Sequence, residues 1–303
     1  MTDELANASL TPHVTIRERV FALQTGTVRV KSAQVAPTRR GLLRIAGPLL
    51  EPAWAGWLPT LAWLVDHPEG PIVVDTGAAA HLKRLPRWHP FFRLATQFAV
   101  EPEEEVGPRL RAVGLNPRDV RTVVLTHMHI DHDAGLHHFP TSVPVLADAH
   151  EIAGAAGLRG RLLGYLPQRW PKGFDPAPLR WEGGPVGPFD RSAPLTRDGT
   201  VFAVPTPGHT PGHISVVVMD GETAIVLGGD AAYTQAQMMA GWPDGVGWDE
   251  AAQAATHNRL RAFTAATPAI FLPTHDPQSA ERLLARTTVA PTGLTTSHSA
   301  QTH

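Results

Sequence analysis

The chain of 303 residues contains no cysteine, which excludes disulfide bonds, thiolate metal ligands and cysteine nucleophiles together. It also lacks an excess of either charge: 26 lysines and arginines nearly balance 28 aspartates and glutamates, so no strong field attracts nucleic acid or an acidic membrane. No apolar run reaches transmembrane length, and the first residues contain no signal-peptide core. We expect a soluble, cytoplasmic protein without nucleic-acid or membrane partners, in which nitrogen and oxygen atoms hold any metal ion.

The chain does have 16 histidines, and their spacing is informative. Residues 122–140 read TVVLTHMHIDHDAGLHHFP, an apolar β-branched segment that runs directly into a group of histidines and aspartates. On an extended strand His127, His129 and Asp131 would share one face and His132 would lie on the other. The chain must therefore turn if all four side chains are to converge. Imidazole and carboxylate are ligands that zinc accepts, as do iron, manganese and cobalt.

Residues of the same types follow three other predicted strands. His209 follows VFAVP, Asp230 follows AIVLG and His275 follows AIF, each on a turn that contains glycine or proline. The set of five imidazoles and two carboxylates is too large for one tetrahedral zinc ion and suits two ions that share a carboxylate. The candidate metal ligands are His127, His129, Asp131, His132, His209, Asp230 and His275.

The predicted elements alternate between groups of strands and groups of helices. Residues 21–35 contain a Thr-Gly step that predicts a hairpin at a sheet edge, and residues 61–77 predict two strands joined by a turn. Residues 91–115 predict helices, and residues 160–188, rich in proline, glycine and tryptophan, predict a long surface loop or lid. The remainder of the chain predicts five further strands, the first within residues 120–127, and three helices at residues 147–157, 248–265 and 277–286.

The signature HMHIDH, followed in order by His209, Asp230 and His275, resembles the HxHxDH motif of the metallo-β-lactamase superfamily of binuclear hydrolases. The resemblance extends over roughly residues 28–286. Within it, GDAAY resembles the N-acyl homoserine lactonase branch, in which a tyrosine three residues beyond the bridging aspartate assists catalysis; that position is Tyr233. The segments LPTHDP and GTVRV also resemble that branch.

The resemblance implies a fold and a division of the ligands. The fold would be α/β of the α+β kind, an αββα sandwich of two mixed β-sheets flanked by helices, with the site at one edge. The cofactors would be two divalent metal ions, zinc before iron, manganese or cobalt. One ion would be held by His127, His129 and His209, the other by Asp131, His132 and His275, and both by Asp230.

The implied reaction is the opening of an acyl lactone, or of a related carboxylic ester, by a hydroxide that bridges the metal ions. Tyr233 would stabilise the oxyanion, and Asp131 would carry a proton to the leaving alkoxide. Asp75, at the end of the run VVD, resembles a family position that orients a ligand histidine. The expected partner is therefore a small acyl lactone or ester.

Other functions remain open on the same scaffold: hydrolysis of a β-lactam, a phosphodiester or phosphotriester, or a thioester. A β-lactamase with a cysteine ligand is excluded, and a nuclease would need a basic face that the composition does not indicate. A different kind of function is also considered: a non-catalytic metal-binding or scaffold protein that has kept the fold. The complete set of ligands argues against it.

Three segments are expected. Residues 1–20 form an N-terminal extension that can exchange across a homodimer interface, residues 21–286 form the hydrolase domain, and residues 287–303 form a disordered polar tail. Five aromatic residues are candidates for an acyl-chain pocket or for packing in the core or lid: Trp54, Trp57, Phe91, Trp170 and Trp181. His213 is predicted to be a structural hydrogen-bonding residue. Four further histidines are predicted to lie on the surface: His81, His89, His150 and His257.

Overall fold

The computed structural model describes residues 20–37, 42–84, 89–156, 160–161 and 164–290. The described strands are β1 (Val20–Val30), β2 (Leu58–Val65), β3 (Ile72–Val74), β4 (Thr96–Ala99), β5 (Thr122–Val124), β6 (Val145–Ala147), β7 (Ala177–Pro178), β8 (Ala193–Pro194), β9 (Val201–Pro205), β10 (Ile214–Asp220), β11 (Thr223–Gly229) and β12 (Ala269–Pro273).

The described α-helices are α1 (Ser32–Val35), α2 (Leu42–Leu50), α3 (Pro90–Leu94), α4 (Val106–Ala112), α5 (Ile130–Asp133), α6 (Ala149–Ala155), α7 (Gln235–Ala240), α8 (Glu250–Ala266) and α9 (Ser279–Ala285). Short 3-10 helices lie at Ala80–Arg84, Pro102–Glu104, Pro117–Asp119, Ala134–His138 and Pro167–Arg169.

The strands form two mixed sheets. The larger sheet has the order β4-β1-β2-β3-β5-β6-β7, and the smaller one has the order β12-β11-β10-β9-β8. In the larger sheet β1, β2 and β3 pair antiparallel, whereas β3, β5, β6 and β7 pair parallel. In the smaller sheet only β11 and β12 pair parallel.

The sheets pack face to face around the main core, and helices cover their outer faces. Side chains alternate across each strand: Trp63 and Val216 lie in the core between the sheets, whereas their neighbours Leu64 and Val217 lie in the two outer clusters. Because both faces of the central strands are buried, these strands appear in the sequence as continuous apolar runs. This arrangement confirms the αββα sandwich.

The predicted hairpin at residues 21–35 is wrong. β1 continues through Gly26, where the register with β2 shifts between Gln24 and Thr27. Gly26 has φ +85°, and a Cβ there would lie 2.6 Å from the Ala99 oxygen. The glycine therefore permits a bulge and the close approach of β4, rather than a chain reversal.

Other predicted elements agree with the structure to different degrees. The two strands within residues 61–77 are confirmed as β2 and β3. The prediction of helices alone for residues 91–115 missed β4. In the predicted loop at residues 160–188, Tyr165 and Leu166 are buried, so part of this segment packs against the body of the protein.

The predicted terminal segments fall largely outside the described residues. Val20 already belongs to β1, and residues 1–19 are not described. Of the predicted tail, residues 287–290 are described: Val289 is buried and its N–H donates to the Ala269 oxygen at 2.8 Å. Within the described ranges, no helix is both long and apolar enough to cross a membrane.

Candidate metal centre

The segment that follows β5 carries four of the predicted ligands, His127 and His129 on a loop that turns sharply and Asp131 and His132 on α5. His129 stands directly before the first residue of this helix. The Asp75 carboxylate, just beyond β3, holds the turn, because it accepts the Thr126 N–H at 2.7 Å and the Thr126 hydroxyl at 2.8 Å. Asp75 itself has φ +60°, a left-handed conformation that a short polar residue tolerates. The turn that the sequence required is thus built by one buried carboxylate.

Glycines allow two other ligand loops to approach closely. Gly208 precedes His209 with φ +138°, and a Cβ there would lie 2.3 Å from the Gln253 Cα. Gly229 precedes Asp230 with φ +55°, and its Cβ would lie 2.7 Å from His213 Nε2. Only glycine fits these conformations and these spaces.

Three imidazole nitrogens meet at one end of the site. His127 Nε2 lies 3.0 Å from His129 Nδ1, which lies 3.1 Å from His209 Nε2. The residues come from two loops, and His129 and His209 are 80 positions apart in the sequence. A group of three converging nitrogens is the arrangement that a divalent transition metal takes.

A second group lies on the other side of Asp230. Asp230 Oδ1 is 3.4 Å from both His132 Nε2 and His275 Nε2, and His275 Nε2 is 3.5 Å from Asp131 Oδ2. Asp230 Oδ2 faces the first group and lies 3.5 Å from His209 Nε2. The structure therefore brings all seven predicted ligands together, with the two oxygens of Asp230 facing different groups.

Carboxylates orient two of the candidate ligand histidines. His132 Nδ1 lies 2.8 Å from Asp75 Oδ2, and His209 Nδ1 lies 2.8 Å from Asp244 Oδ2. Each carboxylate accepts the Nδ1–H of its histidine, which leaves the lone pair of Nε2 directed into the site. Asp75 thus contacts His132, one of the candidate ligand histidines.

Two further histidines are oriented by oxygen atoms. His275 Nδ1 donates to the Pro59 carbonyl oxygen at 2.9 Å. His127 Nδ1 lies 3.2 Å from the Thr126 hydroxyl, which is already used as a donor to Asp75 and therefore accepts here. In both rings Nε2 carries the lone pair. Four of the five candidate ligand histidines are held in the tautomer that leaves Nε2 able to bind a metal ion.

The donor set fits divalent metal ions. His132 Nε2 and Asp230 Oδ1 are buried and have no hydrogen-bond partner among the described residues. Their separation of 3.4 Å exceeds the length of a charged N–H···O bond. Buried polar atoms without a hydrogen-bond partner destabilise the folded protein. A cation bound between this nitrogen and this carboxylate oxygen would provide the missing partner.

The pKa shifts of His127, His129 and Asp230 favour the forms that bind a metal ion. Burial lowers the pKa of His127 and of His129 well below the usual value, and neighbouring histidines lower both pKa values further. Burial opposes ionisation of Asp230, but His275 and His132 hold the pKa of its carboxyl well below the usual value. His127 and His129 therefore favour the neutral imidazole form, and Asp230 offers a carboxylate. At His209 burial is outweighed by Asp244, which raises the pKa of this ring.

Tyr233 lies beside the second group. Its ring stacks on His275 with the ring centroids 5.4 Å apart and an interplanar angle of 27°, and its centroid lies 6.5 Å from that of His209. Burial raises the pKa of the Tyr233 phenol well above its usual value, and Asp230 and Asp244 add to this effect. The hydroxyl therefore stays protonated and can act as a hydrogen-bond donor.

Histidines outside the ligand set have structural contacts. His213 Nε2 accepts the Asp230 N–H at 2.9 Å, in agreement with its predicted structural role. His89 and His257 were predicted to lie on the surface, which is wrong: both are buried. His257 Nε2 donates to the Ala231 oxygen at 2.7 Å and so helps to fix the turn after Asp230. No short motif marks His257 in the sequence.

Asp244 is a functional candidate that the sequence did not indicate. Its Oδ1 accepts the N–H groups of Val246, at 2.8 Å, and of Gly247, while its Oδ2 accepts Gln253 Nε2 at 2.7 Å in addition to His209. Arg44 is also buried and donates to the Asp244 carbonyl oxygen at 2.6 Å. Asp244 follows no strand and belongs to no motif, so only the three-dimensional contacts reveal it.

Glu151 is a second residue that sequence reasoning missed. It is fully buried on α6, and it accepts the Met128 N–H at 3.0 Å and the Gly212 N–H at 3.3 Å. Glu151 therefore joins the loop after β5 to the loop after β9.

A cavity of about 230 Å³ opens beside the first ligand group. Its lining includes His129, Tyr165, His209, Trp248 and Gly154. None of the five aromatic residues proposed for an acyl-chain pocket lines this cavity. Three of them have other contacts or positions: the indole of Trp170 donates to Asp133, that of Trp181 donates to Asp148, and Trp57 is exposed.

The sequence was compared with known families and proteins. A model of the metallo-beta-lactamase superfamily matches residues 55–280. The N-acyl homoserine lactonase AttM of Rhizobium radiobacter is 29% identical over 224 residues, which cover 71% of this chain and 77% of that protein. A probable metallo-hydrolase of Mycobacterium tuberculosis is 34% identical over 177 residues, 56% of each chain.

The fold is similar to solved structures of the same kind. AiiA of Bacillus thuringiensis, with N-decanoyl-L-homoserine bound at its active site, has a TM-score of 0.69 at 21% identity and covers 87% of this chain and 95% of its own. A probable metal-dependent hydrolase from Staphylococcus aureus has a TM-score of 0.66 at 17% identity, and the match covers 91% of this chain and 97% of that chain. Since the family model spans most of the sequence and the fold agrees, the chain belongs to the metallo-β-lactamase superfamily and is a metal-dependent hydrolase.

Proposed function

We propose that this hydrolase opens the ring of an acyl lactone, of the N-acyl homoserine lactone kind, or cleaves a related carboxylic ester. The observation that carries the proposal is the position of Tyr233, a buried neutral phenol stacked on His275 beside two ligand groups that share Asp230. The relatives named as N-acyl homoserine lactonases support the same substrate class.

The proposed cofactors are two divalent metal ions. Zinc is the preferred candidate because each ligand group offers a small number of nitrogen and oxygen donors. The proposed ligands are His127, His129 and His209 for one ion, Asp131, His132 and His275 for the other, and Asp230 for both. Asp75 and Asp244 would keep His132 and His209 in the binding tautomer.

Bound divalent ions would supply a water molecule of lowered pKa and Lewis-acid polarisation of the substrate carbonyl. The Tyr233 hydroxyl would donate a hydrogen bond to the carbonyl oxygen, whose negative charge grows during the reaction. Asp131 lies at the accessible side of the second group, with 15% of its side chain exposed, and would carry a proton to the leaving oxygen. The roles of Tyr233 and Asp131 are thus distinct.

The cavity beside His129 and His209 would bind the acyl portion of the substrate. Tyr165 and Trp248 present aromatic surface there, and Gly154 leaves space on α6 that a side chain would fill. Apolar walls beside a polar reaction centre are typical of a small-molecule site. The cavity therefore suits a substrate with a reactive carbonyl and an attached chain.

Opening an acyl homoserine lactone destroys a signal molecule, so we propose a quorum-quenching role in the cytoplasm. We further propose a hydrolase domain close to the predicted bounds 21–286, extended to Val20 in β1 and to the buried Val289, with an N-terminal extension and a tail outside it, and assembly as a homodimer. Sedimentation of the purified protein tests the last of these proposals.

A substrate panel tests the proposed reaction. Metal-loaded protein is assayed with a long-acyl homoserine lactone, a β-lactam, a phosphodiester and a thioester, and His127→Ala serves as the inactive control. We expect lactone opening to have the highest kcat/KM and to disappear in the variant. If another substrate of the panel is turned over faster, the lactone assignment is wrong; if all rates equal those of the variant, the proposed catalysis is wrong.

A further inference from the structure

A second group of histidines and a carboxylate lies outside the principal site. Glu105 directly precedes α4, and His137 and His138 end the 3-10 helix Ala134–His138. Glu105 Oε2 is 3.0 Å from His137 Nε2 and 2.5 Å from His138 Nε2. The group shares no residue with the groups around Asp230.

The surrounding chain holds this group in place. Glu105 Oε1 accepts the Ala80 N–H at 2.9 Å, so Oε2 is the oxygen that faces both histidines. Gly107 makes room for His138, because a Cβ there would lie 2.5 Å from His138 Nδ1. The Glu105 side chain is 8% exposed, whereas that of His137 is 43% exposed, so the group is anchored at one side and accessible from the other.

The tautomer of His137 leaves no ring proton for its contact with Glu105. His137 Nδ1 lies 2.9 Å from the Ala134 carbonyl oxygen, which can only accept, so this nitrogen carries the proton. In a neutral ring, Nε2 then presents its lone pair to Glu105 Oε2 at 3.0 Å. Two acceptors at this distance repel each other unless a proton or a metal cation lies between them. A backbone carbonyl that holds one ring N–H is also the usual support of a metal-bound histidine.

The neighbouring rings are further candidate nitrogen ligands, and a metal ion would displace the proton that His138 Nε2 shares with Glu105 Oε2. Burial, then the adjacent His137, lowers the pKa of His138, and burial together with Arg169 lowers the pKa of His81. Both rings therefore favour the neutral form that binds metal. The His81 ring lies edge-on to His137, with the centroids 5.7 Å apart.

We propose that Glu105, His137 and His138 form an additional metal site that takes one zinc-class divalent ion, with water or His81 in the remaining position. Two imidazoles and one carboxylate match the ligand preference of zinc. The site would connect the start of α4 to the 3-10 helix Ala134–His138. This 3-10 helix directly follows α5, and α5 carries Asp131 and His132. Its role would be structural.

Zinc stoichiometry tests the proposal with matched variants. Full-length wild type, His137→Gln and His150→Gln are dialysed at neutral pH against buffered zinc above the concentration that fills the principal site, and zinc per chain is measured. His150 is the control because it is an exposed histidine that also contacts a carboxylate, with Nδ1 3.0 Å from Asp148 Oδ1. We expect His137→Gln to bind one zinc ion fewer than wild type, and His150→Gln to match wild type.

The same zinc content in wild type and His137→Gln would overturn the proposal and leave a protonated His137 paired with Glu105. Should His137→Gln fail to fold, crystals of the unaltered protein grown with zinc decide the question by anomalous diffraction at the zinc edge. A peak about 2.0–2.2 Å from Glu105 Oε2 and from the ring nitrogens supports the site, and no peak there overturns it. Neither readout is hydrolysis, so failure of the proposed lactone reaction is distinguished from failure of this site.

Discussion

The contact between Asp244 and His209 allows a prediction with a definite mechanism. Oδ1 of Asp244 accepts two backbone N–H groups, so an asparagine at this position must keep its oxygen there. In Asp244→Asn the amide NH₂ then replaces Oδ2. It faces two donors: His209 Nδ1, which lies 2.8 Å from Oδ2 in the wild type, and the side-chain NH₂ of Gln253. His209 can respond only by moving its proton from Nδ1 to Nε2, which removes the lone pair from the first ligand group.

Losing a carboxylate that orients a ligand histidine costs 10–100-fold in metal affinity, about 1.4–2.8 kcal/mol. Full burial of both partners, at 2% and 0% exposure, places the expected loss toward the upper end of this range. Competition with a chromophoric chelator measures the affinity, and kcat/KM for an acyl lactone is measured beside it. We expect both to fall together.

Asp249→Asn is the matched control. Asp249 caps α8 by accepting the Ala252 N–H at 3.0 Å, a role that asparagine fills equally well, and the residue lies five positions from Asp244. We expect its metal affinity and thermal stability to equal those of wild type. If Asp244→Asn folds and retains wild-type metal affinity, the reasoning that the carboxylate fixes the His209 tautomer is refuted.

Three further predictions concern the phenol, the cavity and the metal ions. Tyr233→Phe should lower kcat for lactone about 100-fold with metal content unchanged, and an unaltered kcat would remove the proposed donor role. Gly154→Phe should raise KM for long-acyl lactones about tenfold and spare short ones, whereas Gly184→Phe, where a Cβ meets nothing within 4 Å, should change neither. Chelation should lower Tm, because metal at 100 times its Kd stabilises by about 2.7 kcal/mol, and an unchanged Tm in calorimetry would contradict metal binding by the folded protein.

Much of the site was predictable because strand ends and ligand types are both visible in the sequence. β5, β9, β11 and β12 are short apolar runs, the last three bounded by glycine or proline, and a ligand candidate follows each of them. Polar residues that follow neighbouring strands meet at one edge of a sheet, so their convergence follows from local patterns.

The parts that were not predictable depend on contacts between distant residues. Gly26 resembles a hairpin turn in sequence, and only its packing against the Ala99 oxygen shows that it forms a bulge. Asp244 resembles a turn aspartate until its bond to His209 is known. His257 resembles a surface histidine on a helix whose composition is mixed, yet it faces inward and contacts Ala231. In each case the partner in space, not the neighbour in sequence, determines the role.

The central claim is that separate loops place a shared carboxylate, Asp230, between two metal ions. Anomalous diffraction from crystals of zinc-loaded protein tests it most directly. The account predicts two peaks about 3.5–4 Å apart, one near each Asp230 oxygen, the first bounded by His127, His129 and His209. A single peak, or none, at this position in protein that hydrolyses lactone would contradict it.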